Sequence, residues 1–293
     1  MIDPGASIVP GVDRLRVHWD FADLEGTETR LREALGAEVT AEGRAEVLTQ
    51  LARVDGLRGA FSAGERLLDE AELLGERSPV VTVRVALERG RLRRSGGDAP
   101  AALPCFETAY AAGCAAELWS LAADAAHMAA LAAPPGEGFV TWTGRGIELA
   151  QARPEASYWA GPLLNNLGWQ LLGDGDAAGA LDAFEQALAA RELAGDPEAV
   201  AIARYAVGRA LRALGRSDEA IVQLEAAIAW SQEAERPDGW FHEELAEELA
   251  AVGRTAEAAH HAGVALPLLE ADDPSLADDR ERRERLAALA AAS

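Results

Sequence analysis

The residues best suited to chemistry are five histidines and a scatter of paired acids, and their spacing argues against a reaction centre. His242-Glu243-Glu244-Leu245-Ala246 opens like a zinc-protease helix, in which two histidines four residues apart share a face and hold the metal. The second position here is Ala246, and one histidine cannot form that site. His260 and His261 are adjacent, so on a helix they point about 100° apart and do not chelate as a pair. His18 and His127 are isolated. Gly173-x-Gly175 has no strand before it and no lysine after it, which rules out a phosphate loop. Asp174-Gly175-Asp176 lacks the later ligands of a calcium loop. Glu243 and Glu247 lie one turn apart, as acids do on any solvated acidic helix. All 27 basic residues are arginine, so a Schiff-base lysine, a P-loop lysine and a lysine general base are all excluded. No catalytic residue, metal or cofactor is expected.

The elements that would carry any site are helices. Nearly half of the 293 residues are apolar, much of that alanine, and only 5% are aromatic. Alanine is the best helix former and lets helices approach closely. Alternating β-branched stretches are absent, so the expected class is all-α. The net charge of −22 disfavours nucleic acid and anionic membranes as partners. Residues 101–200 are the most acidic stretch, with 3 arginines against 13 acids, while arginine collects nearer both ends. Cys105 and Cys114 are nine residues apart, on opposite faces of a continuous helix, and read as buried reduced thiols rather than a disulfide framework. Met1-Ile2-Asp3-Pro4-Gly5 has neither the basic nor the apolar region of a leader. The most apolar stretch, Ala115 to Ala133, is interrupted by Glu117, Asp124 and His127. A cytoplasmic protein is expected.

A repeat dominates the chain. Gly175, Gly215 and Gly253 each precede an alanine by five residues (Ala180, Ala220, Ala258), and seven further on come Ala187, Ala227 and Ala265. The copies are 40 and 38 residues apart, a period that marks stacked helical hairpins, none of which can bury its apolar face alone. Ala52, Gly59, Gly64, Leu68 and Ala71 match Gly90, Gly97, Ala102, Phe106 and Ala109, each pair 38 apart. One unit should lie between Gly97 and Gly175. Segment 115–152 fills that place but departs from the pattern: Pro134-Pro135 occupy the turn near Gly136, and Thr141, Trp142 and Arg145 stand where small or apolar residues are expected. In the turns Gly215-Arg216-Ser217 and Gly253-Arg254-Thr255, Ser217 and Thr255 are the expected N-caps of the second helices.

The clearest copy runs through Leu167, Gly168, Leu171, Gly175, Ala180, Phe184 and Ala187, followed by Val207, Gly208, Leu211, Gly215, Ala220, Leu224 and Ala227. It resembles the tetratricopeptide repeat (TPR). The resemblance implies Gly168 and Ala180 where two helices cross, and Phe184 and Ala187 toward the neighbouring unit. The implied fold is all-α: a right-handed superhelical solenoid of antiparallel hairpins, about six full repeats with terminal capping helices. Expected boundaries are 1–40 for an N-terminal capping or partial repeat, 41–270 for the solenoid and 275–292 for a C-terminal capping helix. The units fall near 41–78, 79–114, 115–153, 157–196, 198–236 and 238–270.

In this family the first helices of successive units line a concave groove. By register the groove positions are Gln50 and Arg53; then Arg84, Glu88, Arg91 and Arg94; then Asn166 and Trp169; then Tyr205, Arg209 and Arg212; and last Trp240, Glu243, Glu244 and Glu247. The groove should thus run from arginine-rich to acidic. The arginines are expected to receive an acidic or C-terminal segment of a protein or peptide partner, since guanidinium forks onto carboxylate. The bland alternative is that they pair with acids four residues away on their own helices. The family's carboxylate-clamp pattern is met only at Asn166, because Ile202 and Ala206 stand where it needs cations. The expected function is a non-enzymatic module that binds a partner in its groove. The alternative is a ligand- or peptide-responsive regulator acting through superhelix pitch, although only about 40 residues precede the first full unit. Self-association through the apolar ends of the stack stays open.

Overall fold

The computed structural model describes residues 13–292; the first part of the expected N-terminal cap, residues 1–12, lies outside them. Among the described residues there are fourteen α-helices and no strand. No helix there is long and apolar enough to cross a membrane. The chain is an all-α helical-repeat solenoid with two compact units, which divide between residues 163 and 164.

The first unit holds α1 (Leu24–Ala37), α2 (Ala41–Leu57), α3 (Phe61–Leu74), α4 (Pro79–Ser95), α5 (Ala99–Ala115), α6 (Trp119–Ala132) and α7 (Glu137–Ala152). Helices α2/α3, α4/α5 and α6/α7 pack as consecutive hairpins. The division falls within α8 (Ala160–Gly173). The second unit continues with α9 (Ala177–Ala194), α10 (Pro197–Ala213), α11 (Ser217–Glu233), α12 (Gly239–Ala251), α13 (Thr255–Asp272) and α14 (Arg280–Ala291).

Each hairpin turn carries a glycine in the positive-φ region that side chains rarely adopt: Gly59, Gly97, Gly136, Gly175, Gly215 and Gly253, with φ between +72° and +88°. In five of them the residue after the glycine donates its N–H back across the turn, as Asp176 does to the Leu171 carbonyl at 2.9 Å and Arg254 to that of Leu249 at 2.8 Å. Gly136 differs, with ψ −124°, because Pro134-Pro135 reshape that turn. The helix it starts is rotated accordingly. On α7 the buried residues are Trp142, Thr143, Gly146 and Ala150, while Thr141 and Arg145 are exposed. A one-residue shift of register thus lets the irregular third hairpin bury a face, and Leu163 fills the space a side chain at Gly146 would take.

The capping expectation at Ser217 and Thr255 is corrected. Asp98 and Asp176 cap α5 and α9, each accepting a backbone N–H three residues on. At the same place in α11 and α13 stand Arg216 and Arg254, with no side-chain cap. These arginines fork onto Glu219 and Glu257 in the first turn instead. Ser217 and Thr255 are one residue too far along to reach the orphan amides.

Interlocking small and large residues make the core. A Cβ at Gly90 would lie 2.5 Å from the Phe106 ring, one at Gly168 2.4 Å from Phe184, and one at Gly208 2.9 Å from Leu224. Phe184 therefore packs first on Gly168 of its own hairpin, and it shares a buried cluster with Ala206, Val207 and Ala210 of α10. Cys105 and Cys114 are free thiols, half-buried rather than buried.

Candidate functional site

In the first unit the groove arginines sit among acids supplied by neighbouring first helices. Arg84 on α4 is buried; its fork reaches Asp13 at 2.7 and 2.6 Å, and its Nε reaches Glu46 on α2 at 2.9 Å. Burial works against the Asp13 carboxylate, but Arg84 holds it below the usual carboxylate range. Arg91 pairs with the buried Glu88 at 2.5 Å and with Asp124 on α6. Gln50 is buried and accepts the Trp19 indole N–H at 3.0 Å. Gln50, Arg84 and Glu88 were expected to be exposed but are buried; Arg84 ties α4 to α2, whereas Gln50 holds Trp19 and Glu88 holds Arg91 on its own helix. Arg94 is exposed and donates to the Leu131 carbonyl at 3.3 Å. Arg53 is half-buried and lies over the Trp19 and Phe21 rings, 5.1 and 5.5 Å from their centroids.

In the second unit the first helices α8, α10 and α12 present an aromatic ladder. Trp169 stands edge-on to Phe184 and 6.1 Å from Tyr205, which in turn lies 5.4 Å from Phe241. The Arg209 guanidinium sits 5.8 Å over Trp169 and donates to the Tyr205 hydroxyl at 3.3 Å, bracing both rings. Phe241 is buried beneath, Asn166 is half-buried on α8, and Trp240 is exposed beside Phe241.

Charges flank the ladder and cancel. Arg212 reaches Glu244 at 2.9 Å, Glu247 at 2.5 Å and Glu248 at 3.3 Å. Burial pushes Glu244 up, against the pull of Arg209 and Arg212. Glu247 is held down by Arg212 and Arg285 in spite of its own burial. From α14, Arg282 forks onto Glu243 at 2.7 and 2.5 Å, and Arg285 reaches Glu247 at 2.7 Å. Glu243 and Glu244 are buried, a second correction to the expected exposure. The acids at the end of the repeat thus dock the last helix.

Sequence reasoning missed one polar contact. His242 on α12 and His261 on α13 place their Nδ1 atoms 2.8 Å apart, with His260 edge-on to His261. One imidazole must donate and the other accept, so the accepting ring is neutral, and burial disfavours charge on both. Burial, then the neighbouring His261 and His260, push His242 down to about 4. Its stabilising contribution is full above about 6.5, the unfolded value, and is lost as pH falls toward about 4. Melting temperature should therefore fall over that range, and His242→Gln should flatten that part of the profile. A wild-type curve level from pH 6.5 to 4 would contradict the contact. Among the described residues no group of three or more metal-ligating side chains comes together.

No protein-family model matches the chain, and no curated protein does. Solved structures match its fold. The apo form of RapI has 10% identity and a TM-score of 0.63, covering 88% of this chain and 76% of that one. BtubC from P. vanneervenii has 18% identity and a TM-score of 0.58, covering 76% and 93%. Cut9–Hcn1, an APC/C hetero-tetramer, has 16% identity and a TM-score of 0.57, covering 88% of this chain and 46% of that one. The fold is that of a stacked helical-repeat protein. The chain is TPR-like.

Proposed function

We propose that this protein is a non-enzymatic interaction module whose second unit holds a peptide or partner-protein segment along its first helices. The observation that carries this reading is the ladder of Trp169 and Tyr205 over Phe241, braced by Arg209. Rigid aromatic rings offer contact area at low entropic cost and dominate binding energy at interfaces. The charges around the ladder are already paired, so they shape its rim and limit which partners fit rather than supplying the main attraction. The fold neighbour Cut9–Hcn1 is itself a hetero-tetramer, which agrees with a role in assembly.

A photo-crosslinking phenylalanine analogue at position 169 or 205 should capture a polypeptide, whereas the same residue at the exposed position Val222 of α11 should not. With the captured partner in hand, Trp169→Ala should weaken binding about 30-fold, as expected for a hot spot of 2 kcal/mol. Equal capture at 169 and 222 would remove the ladder from the interface.

A further inference from the structure

We propose that the first unit carries a separate oxyanion site, formed by Arg16 and Arg53 on the Trp19–Phe21 pair, that takes a single carboxylate of a peptide. Arg53 stands one repeat before Arg91, 38 residues earlier. Arg84, Arg91, Arg209 and Arg212 each reach a carboxylate. Among the described residues Arg53 has no carboxylate partner, and neither has Arg16. Both guanidiniums rest on aromatic faces instead: Arg53 over Trp19 and Phe21, and Arg16 over Phe21 at 5.2 Å.

The aromatic pair is built to hold them. Trp19 and Phe21 stack at 5.0 Å with 24° between their planes, and Gln50 pins the indole N–H. A guanidinium stacked by its face keeps its N–H edge for an acceptor in its own plane, the geometry a carboxylate uses. Phe21 remains half exposed, so the stem of an acidic side chain has an apolar surface to lie against.

Electrostatics favour a monoanion. The charged groups that act most strongly on Arg53 are Arg91, Glu88, Asp124 and Arg16. With Arg53 itself, three guanidiniums face two carboxylates, which leaves one positive charge. A carboxylate neutralises it, whereas a phosphate dianion would leave the site negative within a strongly acidic chain. Burial, with Arg91 and Arg16 adding to it, pushes the Arg53 pKa down, so an anion there relieves an uncompensated charge.

The probes are an acidic peptide with one carboxylate, acetyl-Gly-Gly-Glu-Gly with a blocked C-terminus, the amide peptide that has Gln in place of that Glu, and inorganic phosphate, titrated by calorimetry and by nitrogen-15 NMR of the arginine Nε–H groups. The acidic peptide should move the Arg53 and Arg16 signals. Arg53→Gln should weaken it about tenfold, and Arg53→Lys, which keeps charge but loses the fork, by about threefold. Arg16 is exposed, so Arg16→Gln leaves the fold intact and should also weaken binding about threefold. Unchanged affinity in Arg16→Gln, equal binding of the amide peptide, or tighter binding of phosphate would each overturn the assignment. Crosslinking in the second unit reads a different surface, so either proposal can fail alone.

Discussion

Replacing Arg84 with alanine should lower the stability of the first unit by about 3–5 kcal/mol, the usual cost of removing one partner from a buried ion pair. Arg84 is 5% exposed and serves two acids at once: Asp13 through both Nη atoms and Glu46 through Nε. Arg14 also reaches Glu46, at 2.8 and 3.1 Å, so that acid keeps one cation after the change, whereas Asp13 loses its own. The double variant Arg84→Met, Asp13→Asn should cost less than Arg84→Ala alone, because the acid that loses its cation is neutralised with it. Arg254→Ala is the contrast: its partner Glu257 lies three residues along an exposed turn, and its loss should leave the denaturation midpoint where it was. Urea unfolding followed by circular dichroism measures all three. A loss below about 1 kcal/mol in Arg84→Ala would mean that water screens the cluster as it does a surface pair.

That cluster also marks the limit of what the amino-acid pattern discloses. Gly90, Gly168 and Gly208 could be read from the repeat because steric exclusion acts on one residue type at one period. That Trp169, Tyr205, Arg209 and Arg212 share the first helices of the second unit was legible too. Exposure was not. The arginines were expected to receive a partner's acidic segment, with acids four residues away on their own helices as the alternative, but Arg84–Glu46, Arg91–Asp124 and Arg212–Glu244 join residues 38, 33 and 32 apart on adjacent first helices. Pairing across a repeat leaves no mark in a single helix's charge pattern. The same holds for His242 and His261, 19 residues apart across one hairpin. The third hairpin failed to match for a local reason: two prolines changed its turn, and the helix behind it turned by one residue.

Gly168→Ala should destabilise the second unit by about 1–3 kcal/mol, and the loss should be recovered largely by Phe184→Leu in the same chain. The added Cβ would stand 2.4 Å from the Phe184 ring, which is fully buried in a cluster that includes Ala206, Val207 and Ala210 and so has little room to withdraw. The chain itself uses the smaller combination in two other hairpins: Gly208 takes Leu224, and the buried Ala52 and Leu68 occupy the equivalent positions of the first. Phe184→Ala should cost about 3–5 kcal/mol through the cavity it leaves. A double-mutant cycle by chemical denaturation should show Gly168→Ala and Phe184→Leu coupled by about 1 kcal/mol or more, whereas additive effects would mean that α8 and α9 can slide apart to admit the methyl group. The same wedge positions the proposed binding surface, since Trp169 follows Gly168 on α8 and rests edge-on against Phe184 at 5.1 Å. Phe184→Leu alone should therefore disturb Trp169 fluorescence and weaken partner capture at position 169 even where the helices remain folded, because removing the ring withdraws the support on one side of the ladder while Arg209 and Tyr205 hold the other.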